Sequence, residues 1–240
     1  DGTLRSTRGI LLLALFAKQK GSATLFVPQI SANEATVVSG IHVYPVPTLK
    51  QLVFHLTGTA LIAPLETASI QESLEEVPAE FDLKEVAGQE QAKRALIIAA
   101  AGGHNVLMLG PPGTGKTMLA RALPGILPPL TPAEALEVTR IYSIAGLLSQ
   151  GESIVSRRSF RSPHHGVSAA GLIGGGTNPL PGEVSLAHLG VLFLDEMPEF
   201  PRSVLESLRQ PMEDGHIEIV RVSGHVRYPA SFTLIAAINP

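Results

Sequence analysis

The chain has no cysteine, which removes both a disulfide framework and any thiolate metal site. Charge is also scarce, at 16% of the 240 residues against 45% hydrophobic. That balance favours a packed interior over disorder. The formal net charge is only −3, which argues against a protein that simply coats nucleic acid. Contact through a local basic surface stays open. Long apolar runs are missing too: the longest near the start covers residues 10–17, far too short to span a bilayer. It lacks a signal peptide's cleavage pattern and reads as a core helix, so the expectation is a soluble protein in a reducing compartment with no membrane partner. The chain opens on Asp1-Gly2-Thr3 and stops at Asn239-Pro240 behind an apolar run, as a segment of a longer protein would.

Residues 1–62 read as a small α/β segment. Helix is expected over 10–20 before Gly21, strand over 23–27 closed by Pro28, and a short helix opened by Ser31. A second strand follows over 41–44, then a helix over 49–56 with Thr48 as its cap and Gly58 at its end. Residues 63–80 hold two prolines and five glutamates and read as a linker. From 81 to 240 strand and helix alternate: helix over 89–101, strand over 105–109, helix over 116–123. Strand over 191–194, helix over 204–212 and strand over 232–238 complete the series. These strands are short, apolar and without polar alternation, which implies a mostly parallel sheet with helices on both faces. Residues 141–183 are rich in glycine and serine and fit neither period. No internal repeat is visible.

Three strand ends carry the chemistry. Gly110-Pro111-Pro112-Gly113-Thr114-Gly115-Lys116-Thr117 matches a complete phosphate-binding loop, placed after a strand and before a helix. Its glycines let backbone N–H groups face phosphates at the positive end of the helix. Lys116 would reach the β and γ phosphates, and Thr117 would place its hydroxyl on Mg²⁺. Asp195 and Glu196 emerge from the apolar strand over 191–194. Asp195 would serve the Mg²⁺ shell and Glu196 would deprotonate the attacking water. Asn239 ends the third apolar run. Its amide could position the same water, or Asn-Pro could simply form a turn.

Arg157, Arg158 and Arg161 with His164 and His165 form the densest basic cluster. A second basic stretch, from Arg221 to Arg227, reads as a β-hairpin turning at Ser223-Gly224. Two adjacent histidines hold a metal only with further ligands, and none accompany them. Gly174-Gly175-Gly176 reads as a loop hinge, because no helix-opening lysine follows.

The loop, the Asp-Glu strand and the terminal Asn resemble Walker A, Walker B and sensor 1 of an AAA+ ATPase. The series SPHH, GGG, PGE, LAH and LFLDE narrows the resemblance to the magnesium-chelatase-like branch, and within it to the YifB/ComM group. The likeness covers nearly the whole chain. It implies a doubly wound P-loop core over 81–240, truncated after sensor 1. Gly88, Gln89 and Met118 would join the loop around ATP, and residues 86–89 would approach the adenine. The arginine finger and the helical lid would lie outside the chain. A ring, in this family a hexamer, and a bacterial cytoplasmic setting follow from the same resemblance.

The first 28 residues are similar to the end of a Lon-protease-like (ChlI) domain, an α/β fold like domain 2 of ribosomal protein S5. Active Lon domains place a catalytic lysine shortly after the glycine equivalent to Gly9. Leu11 stands there in this chain, and no lysine occurs before Lys18, so proteolysis is not expected. In the resembling family the 157–165 cluster falls in an insertion facing a central pore, where point charges would hold a phosphate backbone without reading bases. ComM-type proteins are linked to helicase and branch-migration work on incoming DNA. The implied function is therefore a Mg²⁺-dependent ATP-hydrolysing motor on DNA. A metal-chelatase motor and a Lon-related protein remodeller are the alternatives.

Overall fold

A computed structural model describes residues 2–75, 80–149, 151–176, 179–221 and 224–240. Chain contacts divide it into two compact units: Asp1–Glu76 with Ala135–Ser156, and Val77–Glu134 with Arg157–Pro240. Residues 135–156, which sequence places within 81–240, thus group with the amino-terminal segment.

The helices in chain order are α1 (Ile10–Gln19), α2 (Asn33–Thr36), α3 (Leu49–Leu56), α4 (Ile70–Glu75), α5 (Glu90–Gly102), α6 (Lys116–Ile126) and α7 (Pro132–Ala145). The short helices α8 (Ala169–Ile173), α9 (Glu183–Leu186), α10 (Arg202–Ser207) and α11 (Arg209–Asp214) follow. Strands β1 (Thr24–Pro28) and β2 (His42–Val46) belong to the first unit. The second unit holds β3 (Val106–Leu109), β4 (Phe160–Arg161), β5 (Gly174–Gly175), β6 (Leu180–Pro181) and β7 (Val191–Leu194). It closes with β8 (His216–Arg221), β9 (Gly224–Pro229) and β10 (Thr233–Ile238).

In the first unit β1 and β2 pair in parallel from Thr24↔His42 to Pro28↔Val46. Ile10, Leu11 and Ala14 bury one face of α1. Thr48 caps α3 as expected, its hydroxyl accepting from the Gln51 N–H at 3.2 Å. The carboxy-terminal part of α7 joins this unit. Ser143 donates to Glu34 at 2.5 Å, and the Gly9 N–H donates to the Ser143 carbonyl at 2.9 Å. Burial raises the Glu34 carboxyl above its ordinary value against the lowering pull of Ser143. The segment read as a linker is partly helical, since α4 occupies Ile70–Glu75; residues 76–79 of it lie outside the described residues.

In the second unit β3, β10, β7 and β4 form one parallel sheet in that order. Val106, Ile235, Ala237, Val191 and Phe193 share one face, packed with Leu96, Leu119, Ala120 and Leu123 of α5 and α6. Leu192, Leu194 and Ala236 are buried on the other face. That face is open at the β3 edge, where Leu107 and Leu109 are 63% and 71% exposed. Full cover on both sides, as the apolar strands imply, therefore holds for β7 and not for β3. The helix expected over 204–212 is two short ones, α10 and α11.

A longer helix was not read from sequence at all: α7. Its start carries a reciprocal cap, in which Thr131 N–H donates to the Glu134 carboxylate at 2.8 Å and Glu134 N–H donates to the Thr131 hydroxyl at 3.3 Å. Thr-x-x-Glu is the sequence signature of that cap. Among the described residues no helix is long and apolar enough to cross a membrane.

Candidate nucleotide site

Three neighbouring parallel strands end at one edge of the sheet, and each delivers one functional group there. The chain leaves β3 into the loop 110–115, leaves β7 at Asp195 and leaves β10 at Asn239. In open parallel sheets ligands bind at this carboxyl edge.

The loop is shaped for an anion. Gly113 and Gly115 adopt φ of +80° and +83°, and a Cβ at either would meet nothing within 4 Å. Side chains rarely accept that backbone, so glycine is required for the turn. Thr114 pins the loop by donating its hydroxyl to the Pro111 carbonyl at 2.9 Å. At its end α6 opens at Lys116 with no side-chain cap from Gly115, and the first N–H groups of a helix, which lack intrahelical partners, suit an anion.

Lys116 Nζ donates to the Gly110 carbonyl at 2.6 Å, to the Pro111 carbonyl at 3.0 Å and to Asn239 Oδ1 at 2.9 Å. The loop lysine and the amide at the end of β10 therefore meet, although 123 residues separate them. Thr117 Oγ1 donates to Asp195 Oδ2 at 3.1 Å. A hydroxyl and a carboxylate oxygen side by side form a hard-oxygen pair of the kind Mg²⁺ takes. The other oxygen of Asp195 accepts the Glu196 N–H at 3.0 Å. Glu196 itself has left-handed backbone, φ 50° and ψ 47°, uncommon for a residue with a side chain.

Gln89 also has φ of +58° and donates its amide to the Thr114 carbonyl at 3.3 Å. It thereby joins the loop, next to Gly88 at φ +66°. Val86 is instead buried in the core of the unit. Met118 is 50% exposed on α6, and Pro112 lies on the exposed outer part of the loop.

The basic cluster does not survive as one surface. Arg158 has a side chain 12% exposed and donates to the Pro128 carbonyl at 2.5 Å and the Leu189 carbonyl at 2.6 Å. Glu134 lies 3.9 Å from it. Burial pushes its guanidinium down from the ordinary value, and Glu134 draws it back. Arg161 makes a two-pronged pair with Glu183, at 2.7 and 2.8 Å. Both arginines thus have partners within the chain, which sequence does not reveal: it shows the positive charges but not the carbonyls and carboxylate beside them. Arg157, His164 and Arg227 are exposed. His165 faces Glu196 instead, Nδ1 to Oε2 at 3.9 Å, a pairing no spacing rule reveals. Arg221 closes β8, and Ser223 of the expected turn lies outside the described residues.

A glycine loop opening a helix, followed on the two adjacent parallel strands by an amide and an acidic pair, defines a P-loop nucleotide-binding fold of the AAA+ class. The family model described as "Magnesium chelatase, subunit ChlI" matches residues 82–240. The chain belongs to this magnesium-chelatase-like AAA+ family and is of the YifB/ComM type. It is 47% identical to "Competence protein ComM" of Haemophilus influenzae over its whole length, covering 47% of that protein. It is 44% identical to YifB of Escherichia coli, again over the whole chain and 46% of the relative. Likeness to the "Magnesium-chelatase 38 kDa subunit" of Rhodobacter capsulatus is lower, 27% over 67% of this chain and 50% of that one. A solved structure of the complex between magnesium chelatase subunits BchI and BchD matches with a TM-score of 0.53 and 25% identity, over 68% of this chain and 56% of that one. The chain thus spans about half the length of the relatives it matches.

Proposed function

We propose that the chain is the ATP-binding and ATP-hydrolysing core of a ring-forming motor that works on DNA in the bacterial cytoplasm. The observation that carries the ATPase reading is the convergence of Lys116 with Asn239 and of Thr117 with Asp195 at one sheet edge. The loop N–H groups and Lys116 hold the β and γ phosphates, with Gly88 and Gln89 on the side of the base. Thr117 and Asp195 would hold Mg²⁺, which would supply charge neutralisation to the phosphates. Asn239, close to the Lys116 ammonium, orients a water towards the γ phosphorus. Glu196 takes that water's proton as its oxygen bonds to phosphorus and the bond to the β–γ bridging oxygen breaks. ADP and phosphate leave.

The DNA reading rests on the resemblance to ComM-type proteins over the whole chain and on the exposed Arg157, His164 and Arg227. Leu11, at the position of the Lon-type lysine, is fully buried, which supports an amino-terminal segment that does not cleave peptides. The likeness to a magnesium-chelatase subunit favours a metal-insertion motor as the second reading.

The test is the ATPase rate of the full-length protein alone, with single-stranded or branched DNA, and with casein. Stimulation by DNA, reduced when Arg157 and Arg227 become alanine, is the expected result. Stimulation by casein alone would move the assignment to protein remodelling. Retained chelatase activity when this protein replaces the motor subunit would move it to metal insertion.

A further inference from the structure

We infer that Gln89 is a positioning residue for phosphate rather than a contact for the base: it holds the Thr114–Gly115 peptide turned so that the Gly115 N–H faces the phosphates. The role rests on residues 110–117 binding ATP as proposed above.

Few backbone donors remain in the loop. Pro111 and Pro112 have no N–H, and the Gly110 N–H donates to the Ile238 carbonyl at 3.2 Å. Between β3 and α6 that leaves the N–H groups of Gly113, Thr114 and Gly115. The first half of the loop is held from within. Lys116 Nζ donates to the Gly110 and Pro111 carbonyls, and the Thr114 hydroxyl donates to the Pro111 carbonyl as well. The second half is freer. Gly113 and Gly115, at φ +80° and +83°, flank Thr114. Glycine accepts either sign of φ, so sterics at Gly115 do not decide which way the preceding peptide faces.

Gln89 decides it. Its Nε2 donates to the Thr114 carbonyl at 3.3 Å. In a trans peptide the C=O and the following N–H point in opposite directions. A carbonyl held towards Gln89 therefore sends the Gly115 N–H to the other side, where a phosphate meets the positive end of α6. Gln89 is itself fixed in place. It immediately precedes α5, and the Lys93 N–H donates to its carbonyl at 2.9 Å. Leu96 and Ala100 of α5 share one core with Leu119 and Leu123 of α6, so donor and loop are carried by helices that pack together. Residue 89 takes φ +58°, a backbone that residues with side chains rarely adopt. A strained residue kept beside a ligand site indicates a constraint on where its side chain goes.

The experiment is competition of ATP, GTP and inorganic tripolyphosphate against a fluorescent ATP analogue, with Mg²⁺ present. It uses the full-length protein as wild type, Gln89→Gly and Gln89→Asn. Both replacements accept left-handed backbone, but glycine has no amide and that of asparagine is one carbon short. Thermal unfolding without nucleotide is the folding control. Each variant should bind ATP and tripolyphosphate more weakly by the same factor, about two- to ten-fold, the size of one hydrogen bond. The ratio of ATP to GTP affinity should not change. A loss for ATP with tripolyphosphate unaffected overturns the role, because it reports contact with the base. A changed ATP-to-GTP ratio, or wild-type affinities in both variants, overturns it as well. A wild type that binds neither ATP nor tripolyphosphate is a separate failure, of the ATP site beneath.

Discussion

Arg158 offers a quantitative test of what the basic cluster does. Replacing it with alanine removes two charge-assisted hydrogen bonds, to the carbonyls of Pro128 and Leu189, in a position where the side chain is only 12% exposed. Hydrogen bonds to charged groups contribute about 1.5–3 kcal/mol each. Glu134 adds little, because it stands 3.9 Å away and is already held below its ordinary pKa by the Thr131 N–H. The loss therefore comes to roughly 3–6 kcal/mol. It acts on the approach to β7, since Leu189 carries φ +54° and precedes that strand by two residues. At an m-value of about 3 kcal/mol/M the urea midpoint should fall by roughly 1–2 M, read by circular dichroism. Arg158→Lys should recover only part, because an ammonium lacks the guanidinium's fork. A loss below about 1 kcal/mol together with weakened DNA binding would instead give Arg158 a surface role.

Two further outcomes follow from single positions. Glu34 has a raised pKa in the folded protein, chiefly from burial, so the fold binds its proton more tightly than the unfolded chain does. Its stabilising contribution is complete below its ordinary 4.5 and declines as pH rises from there through the folded value. Unfolding curves of wild type and Glu34→Gln across that window should diverge with rising pH, the variant showing the smaller decline; parallel curves would contradict it. Gly190→Ala would place a methyl 2.3 Å from the Ser159 carbonyl oxygen, a backbone atom that must move. Thermal unfolding should report a loss of about 1–3 kcal/mol, and an unchanged midpoint would count against the close approach of these two segments.

The strand ends that converge at the sheet edge were largely legible because each is a local feature. A run such as Val191–Leu194 announces a buried strand, and the polar residue that follows must emerge at its end. Glycines and a lysine at set spacing announce a phosphate loop in the same way. Gln89 joins the loop through a left-handed backbone that no propensity indicates. The contact between His165 and Glu196 depends on strand order, which residue spacing does not encode. Charge clusters were the least legible feature. Arg157, Arg158 and Arg161 look alike in sequence, yet one is exposed, one donates to two backbone carbonyls and one is matched to Glu183. α7 was legible in principle through Thr131 and Glu134, but the proline between them and the glycine-rich stretch beyond hid its period.

The edge formed by β3, β10 and β7 is proposed to bind and hydrolyse ATP. This is tested most directly by measuring ATP affinity and turnover together in the full-length wild type and in Glu196→Gln. Glu196→Gln should hold Mg²⁺-ATP as tightly as wild type while turnover falls by at least about a hundred-fold, the low end of general-base contributions. Turnover at the wild-type rate in Glu196→Gln would contradict it.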